Sequence, residues 1–179
     1  YGVAFLLMIA TLFFGPEIKG AQRWLTFGPF SLQPSEFAQP ALIVLAAAAL
    51  PYLAASKGSI VNVSSTFGHK AVAGLSHYAA SKAALDHLTR CWALELAPQG
   101  VRVNAVSPGS IYFKDGVWAR IERDDPAAFK AALAANPMGR MGRPEEIADV
   151  VAFVASPRAS FMAGANIVVD GASTRRIPN

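Results

Sequence analysis

The stretch from Gly58 to Lys82 reads GSIVNVSSTFGHKAVAGLSHYAASK, and a change of periodicity within it decides the fold. Its first part, Ser59–Val63 (SIVNV), is rich in β-branched residues and predicts a strand. From Tyr78 to about Leu96 the spacing is helical. The apolar residues that carry this spacing are Leu85, Leu88 and Trp92. A strand, a turn rich in Ser and Gly, and a helix in this order predict a βα unit.

The alternation of strands and helices continues toward the C-terminal end. A Pro-Gln-Gly tripeptide ends the first helix, and Val101–Val106 (VRVNAV) predicts a second strand that stops before Pro108-Gly109. Pro144 suits the N-terminus of a second helix, and Asn166–Asp170 (NIVVD) predicts a third buried strand. The apolar face of the second helix is formed by Ile147, Val150, Val151 and Val154. With right-handed crossovers, this β-α-β-α-β series predicts a small parallel sheet and the α/β fold class.

The N-terminal part of the chain has a different character. An apolar run from Val3 to Phe14 and a second from Ala41 to Ala55 flank a polar segment punctuated by Gly and Pro. Because about 20 apolar residues are needed to cross a bilayer, the first run is too short to span a membrane by itself. We predict a mostly helical, membrane-like domain of two partial apolar helices and a loop over residues 1–47, and a second domain over residues 48–179. A buried Ala-rich helix of a soluble protein is the alternative interpretation of the second run.

Composition limits the classes of function. The chain is 53% hydrophobic and 16% charged, and the basic residues behind its net charge of +4 are scattered, so we expect no nucleic-acid binding. A single cysteine, Cys91, excludes an intramolecular disulfide and fits a reducing compartment, so we expect the second domain to be cytoplasmic. The three histidines lack metal-ligand spacing with acidic partners and are interpreted as surface or packing residues, so no metal site is predicted.

Tyr78 and Lys82 are the first residues that indicate chemistry. Residues four apart on a helix are neighbours, so the Lys82 ammonium can lie close to the Tyr78 phenol. A phenol ordinarily ionises at about pH 10, and a nearby positive charge favours the phenolate, which suits acid/base catalysis near neutral pH. By itself the pair also fits an ordinary contact on an amphipathic helix, because Tyr-x-x-x-Lys arises by chance.

Ser65 makes the pattern specific, because it lies thirteen residues before Tyr78 and directly after the predicted strand. Together, GSIVNVSS, the Tyr78-x-x-Ser81-Lys82 motif, VRVNAVSPG and NIVVDG resemble the short-chain dehydrogenase/reductase family over roughly residues 50–173. The resemblance implies the C-terminal half of a Rossmann-like parallel sheet, from about residue 50 to 179. It also implies an NAD(P)-dependent oxidoreductase that interconverts alcohol and carbonyl groups on a small-molecule substrate, and a homo-oligomer.

The resemblance also implies roles for particular residues. Ser65 resembles the residue that hydrogen-bonds the substrate oxygen, Tyr78 the general acid/base, and Lys82 the lysine that favours the tyrosinate and holds the nicotinamide ribose hydroxyls. The segment that packs against the nicotinamide corresponds to Pro108, Gly109 and Ile111. Phe113 stands where the family often has a threonine that contacts the cofactor phosphate. Residues 112–140 correspond to the variable substrate loop and do not indicate the substrate.

Several family features are missing from the sequence. The chain has no Gly-x-x-x-Gly-x-Gly stretch before residue 50 that could hold a pyrophosphate at a helix N-terminus, and nothing that distinguishes NAD from NADP. Its first asparagine is Asn62, so the family asparagine on the preceding helix is absent. We therefore expect impaired activity. Because a parallel sheet needs its neighbouring strands and both faces covered, we also expect marginal stability or oligomerisation.

Residues 1–47 have a resemblance of their own. The strings GPEIKGAQRW, from Gly15 to Trp24, and GPFSLQPSEFA, from Gly28 to Ala38, resemble the FtsW/RodA type of bacterial peptidoglycan polymerase. Two unrelated families that meet in the Ala-rich stretch 41–53 suggest a chimera or fusion fragment, which sequencing single DNA molecules across codons 35–60 would test. The alternative function is therefore a non-catalytic membrane-associated fragment that contacts the membrane through residues 1–50.

Overall fold

The computed structural model describes residues 17–18, 21–22, 25–27, 30–32, 45, 48–71 and 73–174. The chain divides into two units, Tyr1–Tyr52 and Leu53–Asn179. Residues 48–56, which include this division, form helix α1. The second predicted apolar run is therefore helical over its described residues, and the first run, Val3–Phe14, lies outside the described residues.

The first unit contains two short antiparallel strand pairs. Strand β1 (Glu17–Ile18) pairs with β2 (Ala21–Gln22), and β3 (Leu25–Phe27) pairs with β4 (Phe30–Leu32). These strands lie where the sequence predicts a loop in a mostly helical segment. In each pair the strands are separated in sequence by two residues that include a glycine, a spacing that favours hairpins. No helix among the described residues is long and apolar enough to cross a membrane.

The second unit alternates strands and helices. Its strands are β5 (Ser59–Val63), β6 (Arg102–Pro108) and β7 (Asn166–Val169). Its helices are α2 (Ser76–Leu96), α3 (Val117–Asp124), α4 (Pro126–Ala135) and α5 (Pro144–Ala155). Short 3₁₀ turns cover Thr66–Gly68, Ala97–Gln99 and Pro157–Ala159. Helices α3 and α4 lie within the stretch that the resemblance assigns to the variable substrate loop.

The sheet confirms the predicted parallel α/β arrangement. Strand β6 lies between β5 and β7, and both pairings are parallel, with Val61 opposite Asn104 and Val106 opposite Ile167. Helix α2 packs against β6, whereas α5 packs against β5 and β6. Asn62, which lies opposite Ala105, contacts α2, whereas Arg102, three residues before Ala105 on β6, contacts α5. Residues an odd number apart on a strand point to opposite faces, so α2 and α5 cover opposite faces of the sheet.

Burial is concentrated in the central strand. Residues 103–107 of β6 are all buried, but no residue of β7 is, and Val63 at the end of β5 is half exposed. The prediction that Asn166–Asp170 forms a buried strand is therefore wrong for β7, and β5 is buried only at Asn62. The physical reason is position: in the described part of the chain, β5 and β7 are the two edges of a three-stranded sheet.

The buried face of α2 also differs from the predicted one. Its buried residues are Asp86, Thr89, Ala93 and Leu96, whereas the predicted apolar residues Leu85, Leu88 and Trp92 are only half buried. The sheet face beneath α2 includes the buried polar side chain of Asn62, which needs a hydrogen-bonding partner. Asn62 meets this need by donating to Thr89 Oγ1 at 2.8 Å.

Hydrogen bonds connect the opposite face of the sheet to α5 and to the loop that follows it. The Arg102 guanidinium donates to four carbonyl oxygens, those of Val154, Ala155, Ser156 and Ala159, at 2.8–3.1 Å. Buried Asn104 donates to Met162 O at 2.8 Å and accepts from Ala165 N–H at 3.0 Å. Two of these acceptors, Val154 O and Ala155 O, belong to the last turn of α5, where carbonyl groups have no partner within the helix.

Candidate active site

The sequence-predicted site residues lie at one edge of the sheet. Ser65 follows the end of β5, and Pro108 and Gly109 lie at the end of β6. The carboxyl ends of parallel strands share one edge, which is the usual position of ligand sites in open α/β sheets. The predicted residues are therefore gathered where such a site belongs.

Ser65 forms the N-cap of the 3₁₀ turn that follows β5. Its side chain is buried, and its Oγ accepts a hydrogen bond from Phe67 N–H at 3.2 Å. A hydroxyl has one donor hydrogen and two lone pairs, so this contact leaves the hydrogen and one lone pair for another partner. The turn therefore fixes the position of the hydroxyl without using its capacity to donate.

The 3₁₀ turn also contacts α2 through an aromatic side chain. The Phe67 ring meets the Tyr78 ring edge to face, with centroids 6.2 Å apart and planes at 89°. Tyr78 is 37% exposed, so its side chain remains open to solvent while one edge is packed. The structure thereby brings the Ser65 turn and Tyr78 together through Phe67.

Tyr78 and Lys82 are neighbours on α2, as their spacing predicts. The Lys82 ammonium lies 5.7 Å from the centroid of the Tyr78 ring. The same Nζ donates to the carbonyl oxygen of Val63, at the end of β5, at 2.9 Å. Burial lowers the pKa of Lys82, and the negative charge of Asp86 acts in the opposite direction. Lys82 is therefore anchored at the strand end with its charge beside the tyrosine.

A second group of predicted residues lies at the ends of β6 and β7. Gly109 N–H donates to Val169 O at 2.9 Å, and a Cβ atom on Gly109 would lie only 2.5 Å from Asp170 Cβ. Ile111 forms a parallel bridge with Gly142. A cavity of about 110 Å³ opens beside Ile111, which is room for a few water molecules but not for a whole dinucleotide.

Sequence reasoning missed two residues beside this site. His69, interpreted as a surface or packing residue, has a side chain only 12% exposed, and its Nε2 lies 3.5 Å from Asp86 Oδ2. Asp86 is one helical turn beyond Lys82 and eight residues beyond Tyr78, so the helical spacing that paired Tyr78 with Lys82 could also have found Asp86. No sequence signal connects His69 with Asp86, because the contact joins a turn to a helix.

Comparison with known proteins decides the family. The family model described as enoyl-(acyl carrier protein) reductase matches residues 38–174, more than half of the chain. A solved structure described as a short chain dehydrogenase/reductase family protein is 44% identical, with a TM-score of 0.62, and covers 73% of this chain and 52% of its own. The chain belongs to the short-chain dehydrogenase/reductase family. It is therefore related to oxidoreductases, as the Ser65, Tyr78 and Lys82 pattern predicted.

Two curated short-chain dehydrogenase/reductase relatives show how much of a family member is present. Cis-4-hydroxycyclohexanecarboxylate dehydrogenase of Sinomonas cyclohexanicum is 47% identical over 122 residues, which are 68% of this chain and 47% of the relative. The 3-oxoacyl-[acyl-carrier-protein] reductase FabG of Thermotoga maritima is 43% identical over 123 residues, which are 68% and 48%. The chain spans about half the length of these relatives.

The family match begins at residue 38, so residues 1–37 lie outside it. The resemblance of residues 1–47 to the FtsW/RodA type of polymerase, and the chimera inferred from it, stay predictions. Most of the residues that carry that resemblance lie outside the described residues.

Proposed function

We propose that residues 48–179 form an NAD(P)-dependent oxidoreductase module that interconverts an alcohol and a carbonyl group on a small molecule. One observation carries this proposal. The Lys82 ammonium is held 5.7 Å from the Tyr78 ring centroid at the carboxyl end of the sheet, next to the turn that fixes Ser65. This arrangement provides an acid/base group, a positive charge and a hydroxyl donor at one place.

The three side chains have distinct tasks in this proposal. In the oxidative direction, the Tyr78 oxygen takes the proton of the substrate hydroxyl. A hydride leaves the carbon atom that bears this hydroxyl. A nicotinamide held beside Tyr78 and Lys82 would supply the hydride-transfer chemistry in either direction. Ser65 donates a hydrogen bond to the substrate oxygen, and Lys82 stabilises the negative charge on the Tyr78 oxygen. One proton and one hydride leave the alcohol, so the carbonyl product is balanced.

The residues at the ends of β6 and β7 fit the nicotinamide side of a dinucleotide. The backbone of Gly109 lies directly against Asp170, so that a side chain at position 109 would clash with Asp170. With Pro108 and Ile111 it would form the surface that packs on the nicotinamide, while Tyr78 and Lys82 would hold the ribose hydroxyls. No Gly-x-x-x-Gly-x-Gly stretch that could hold the pyrophosphate occurs before residue 50, so these residues account only for the nicotinamide side of the site.

The names of the relatives support the type of reaction. One is a dehydrogenase of a hydroxycyclohexane carboxylate, and the other is a reductase of a 3-oxoacyl carrier protein. Both names describe oxidation or reduction at a carbon–oxygen group. We extend that reaction type, but neither substrate, to this chain.

A fluorescence titration of the chain with NADH and with NADPH tests the proposal. We expect saturable binding of at least one cofactor and weaker binding by Lys82→Met, which removes the ammonium. Tyr78→Phe loses the hydroxyl that would contact the ribose, so it should bind the cofactor more weakly than the parent chain, and it should lower any turnover of a model alcohol by roughly 10²–10⁴-fold. Absence of binding up to millimolar cofactor would show that the residues are a remnant without activity.

A further inference from the structure

The turn that carries Ser65 ends on a histidine that the proposed reaction does not use. Ser65 accepts hydrogen bonds from Phe67 N–H at its Oγ, 3.2 Å away, and from Gly68 N–H at its carbonyl oxygen, 2.9 Å away. His69 N–H donates to the carbonyl oxygen of Thr66 at 3.1 Å. These bonds link the five residues into one unit, so whatever holds the His69 side chain also holds the Ser65 hydroxyl.

The imidazole of His69 connects this turn to three other elements. Its side chain is only 12% exposed, and one ring nitrogen, Nε2, lies near polar atoms of a helix and two strands. These atoms are Asp86 Oδ2 on α2 at 3.5 Å, Ser107 Oγ on β6 at 3.4 Å and Asn166 Nδ2 on β7 at 3.1 Å. A single side chain therefore joins the turn to α2 and to the sheet.

The close approach of the turn to α2 depends on Gly68. A Cβ atom at this position would lie 2.5 Å from Asp86 Oδ2 and 3.1 Å from the carbonyl carbon of Lys82. A side chain would therefore push the turn away from the helix. The residue before His69 thus allows the contact that the His69 ring makes.

The hydrogen-bonding needs of the neighbours decide where the ring carries its hydrogen. The Asp86 side chain is only 7% exposed, and neither of its oxygens accepts a hydrogen bond from the described residues. Asn166 Oδ1 is also buried without a partner among these residues. Histidine tautomers and amide orientations follow from the hydrogen-bond network, and an unpaired buried acceptor costs free energy. A hydrogen on Nε2 would face the Asp86 carboxylate, and a rotated Asn166 amide would turn its oxygen toward the same hydrogen.

We propose that His69 is a positioning residue for Ser65. Its ring, with a hydrogen on Nε2, ties the turn to α2 and to the sheet. The Ser65 hydroxyl and the Phe67 ring are thereby held beside Tyr78. The proposal deepens the proposed function and rests on it for the role of the Ser65 hydroxyl. The contacts of His69 exist whether or not the chain binds a cofactor.

Amide hydrogen exchange of the full chain, followed by NMR, measures how firmly the turn is held. His69→Phe keeps a ring and removes both ring nitrogens. The amides of Phe67 and Gly68 should then exchange roughly tenfold faster or more. This factor should exceed any acceleration at Ala105 of β6, a buried amide that donates to Ala165 O at 2.8 Å and reports global unfolding. Equal acceleration at the turn and at Ala105, or none at the turn, would overturn the proposal.

Three further variants separate hydrogen bonding from packing. His69→Gln places an amide N–H at about the reach of Nε2 and should restore most of the protection of the turn. Exchange as fast as in His69→Phe would contradict a hydrogen-bonding role. His87→Phe makes the same change on the exposed side of α2 and should leave the turn unchanged. If the larger ring of His69→Phe unfolds the chain, His69→Leu carries the same test.

The ¹⁵N NMR signals of the His69 ring give a second readout, which packing alone would not determine. We expect a hydrogen on Nε2 at neutral pH, and a bare Nε2 would overturn the proposal. Neither measurement requires a cofactor or a substrate. A failed cofactor titration would therefore remove the proposed function of Ser65 but would leave both results on the His69 contacts valid.

Discussion

Gly109 shows how the proposed site depends on a single residue without a side chain. Because a Cβ atom there would lie 2.5 Å from Asp170 Cβ and 2.8 Å from Asp170 Cα, backbone would have to move to accept it. We expect Gly109→Ala to lower the free energy of unfolding by about 1–3 kcal/mol, as overpacking does elsewhere. Urea unfolding followed by circular dichroism measures this difference.

Gly139 provides the control for that experiment. Its φ is +67°, and a Cβ atom there would meet nothing within 4 Å. Gly139→Ala should therefore lower the free energy of unfolding only by the cost of a left-handed backbone at a residue with a Cβ atom, roughly 1–2 kcal/mol, because no neighbouring atom is crowded. The crowding at Gly109 should also weaken cofactor binding, which Gly139→Ala should not do. Equal binding by both variants would contradict a role of Gly109 in the site.

Single residues also show where sequence reasoning succeeded and where it failed. Tyr78 and Lys82 could be paired from their spacing, because helix geometry alone places such residues side by side. His69 and Asp86 could not be paired from the sequence, because they are seventeen positions apart. Their contact depends on how closely Gly68 lets the turn approach the helix. Such a distance is set by packing and not by local periodicity.

At the scale of elements, Arg102 joins β6 to the end of α5. Its guanidinium donates to four carbonyl oxygens, including that of Val154 at 2.8 Å. Arg102→Met keeps the aliphatic length and removes the donor to Val154 O and Ala155 O, whereas Ser156 O and Ala159 O keep backbone donors. We expect a loss of about 2–4 kcal/mol in the free energy of unfolding.

Arg158 is a suitable control for the Arg102 variant. It lies on the neighbouring 3₁₀ turn, is exposed, and has its guanidinium 5.7 Å from the Phe153 ring. Arg158→Met should change stability by less than about 1 kcal/mol, since exposed cation–π contacts contribute little. If the two variants were equally stable in thermal and urea unfolding, the four hydrogen bonds of Arg102 would not be holding the helix end.

Glu146 stabilises the start of α5 in a pH-dependent way. It pairs with Arg140 at 2.6 Å and accepts from Arg143 N–H at 2.8 Å, and these hydrogen bonds lower the pKa of Glu146 from 4.5 to about 2. Folding therefore favours the carboxylate. Its contribution is complete above the ordinary glutamate pKa and is lost as the pH falls toward 2.

The prediction for Glu146→Gln follows from the lowered pKa of Glu146 in the folded chain. The variant should be less stable than the parent chain at neutral pH, and the difference should shrink as the pH falls from about 4.5 to about 2. Urea unfolding at a series of pH values measures it. Glu145→Gln removes the same charge one residue earlier in the same turn and should show a smaller dependence. A difference that is constant with pH would contradict the proposed cause.

At the scale of the whole molecule, the sheet edge has a consequence for association. In the described part of the chain β5 is an edge strand, its Val63 is 51% exposed, and Phe161 is fully exposed. Exposed edges and apolar side chains favour association. We expect sedimentation to show species heavier than the monomer and a melting temperature that rises with chain concentration. A sharp, concentration-independent monomer melt would contradict this prediction.

The sequence by itself determined the parallel β-α-β-α-β series, the strand Ser59–Val63 and the neighbourhood of Tyr78 and Lys82. These features follow from local periodicity, because a strand repeats every two residues and a helix every 3.6. Only the tertiary structure decided that Asp86 and Thr89, and not Leu85 and Leu88, are the buried residues of α2, and that β5 and β7 are less buried than β6. The physical reason is that burial depends on the surface each element meets: buried Asn62 needs a hydrogen-bonding partner, which Thr89 provides, and Gly68 lets the turn pack against Asp86.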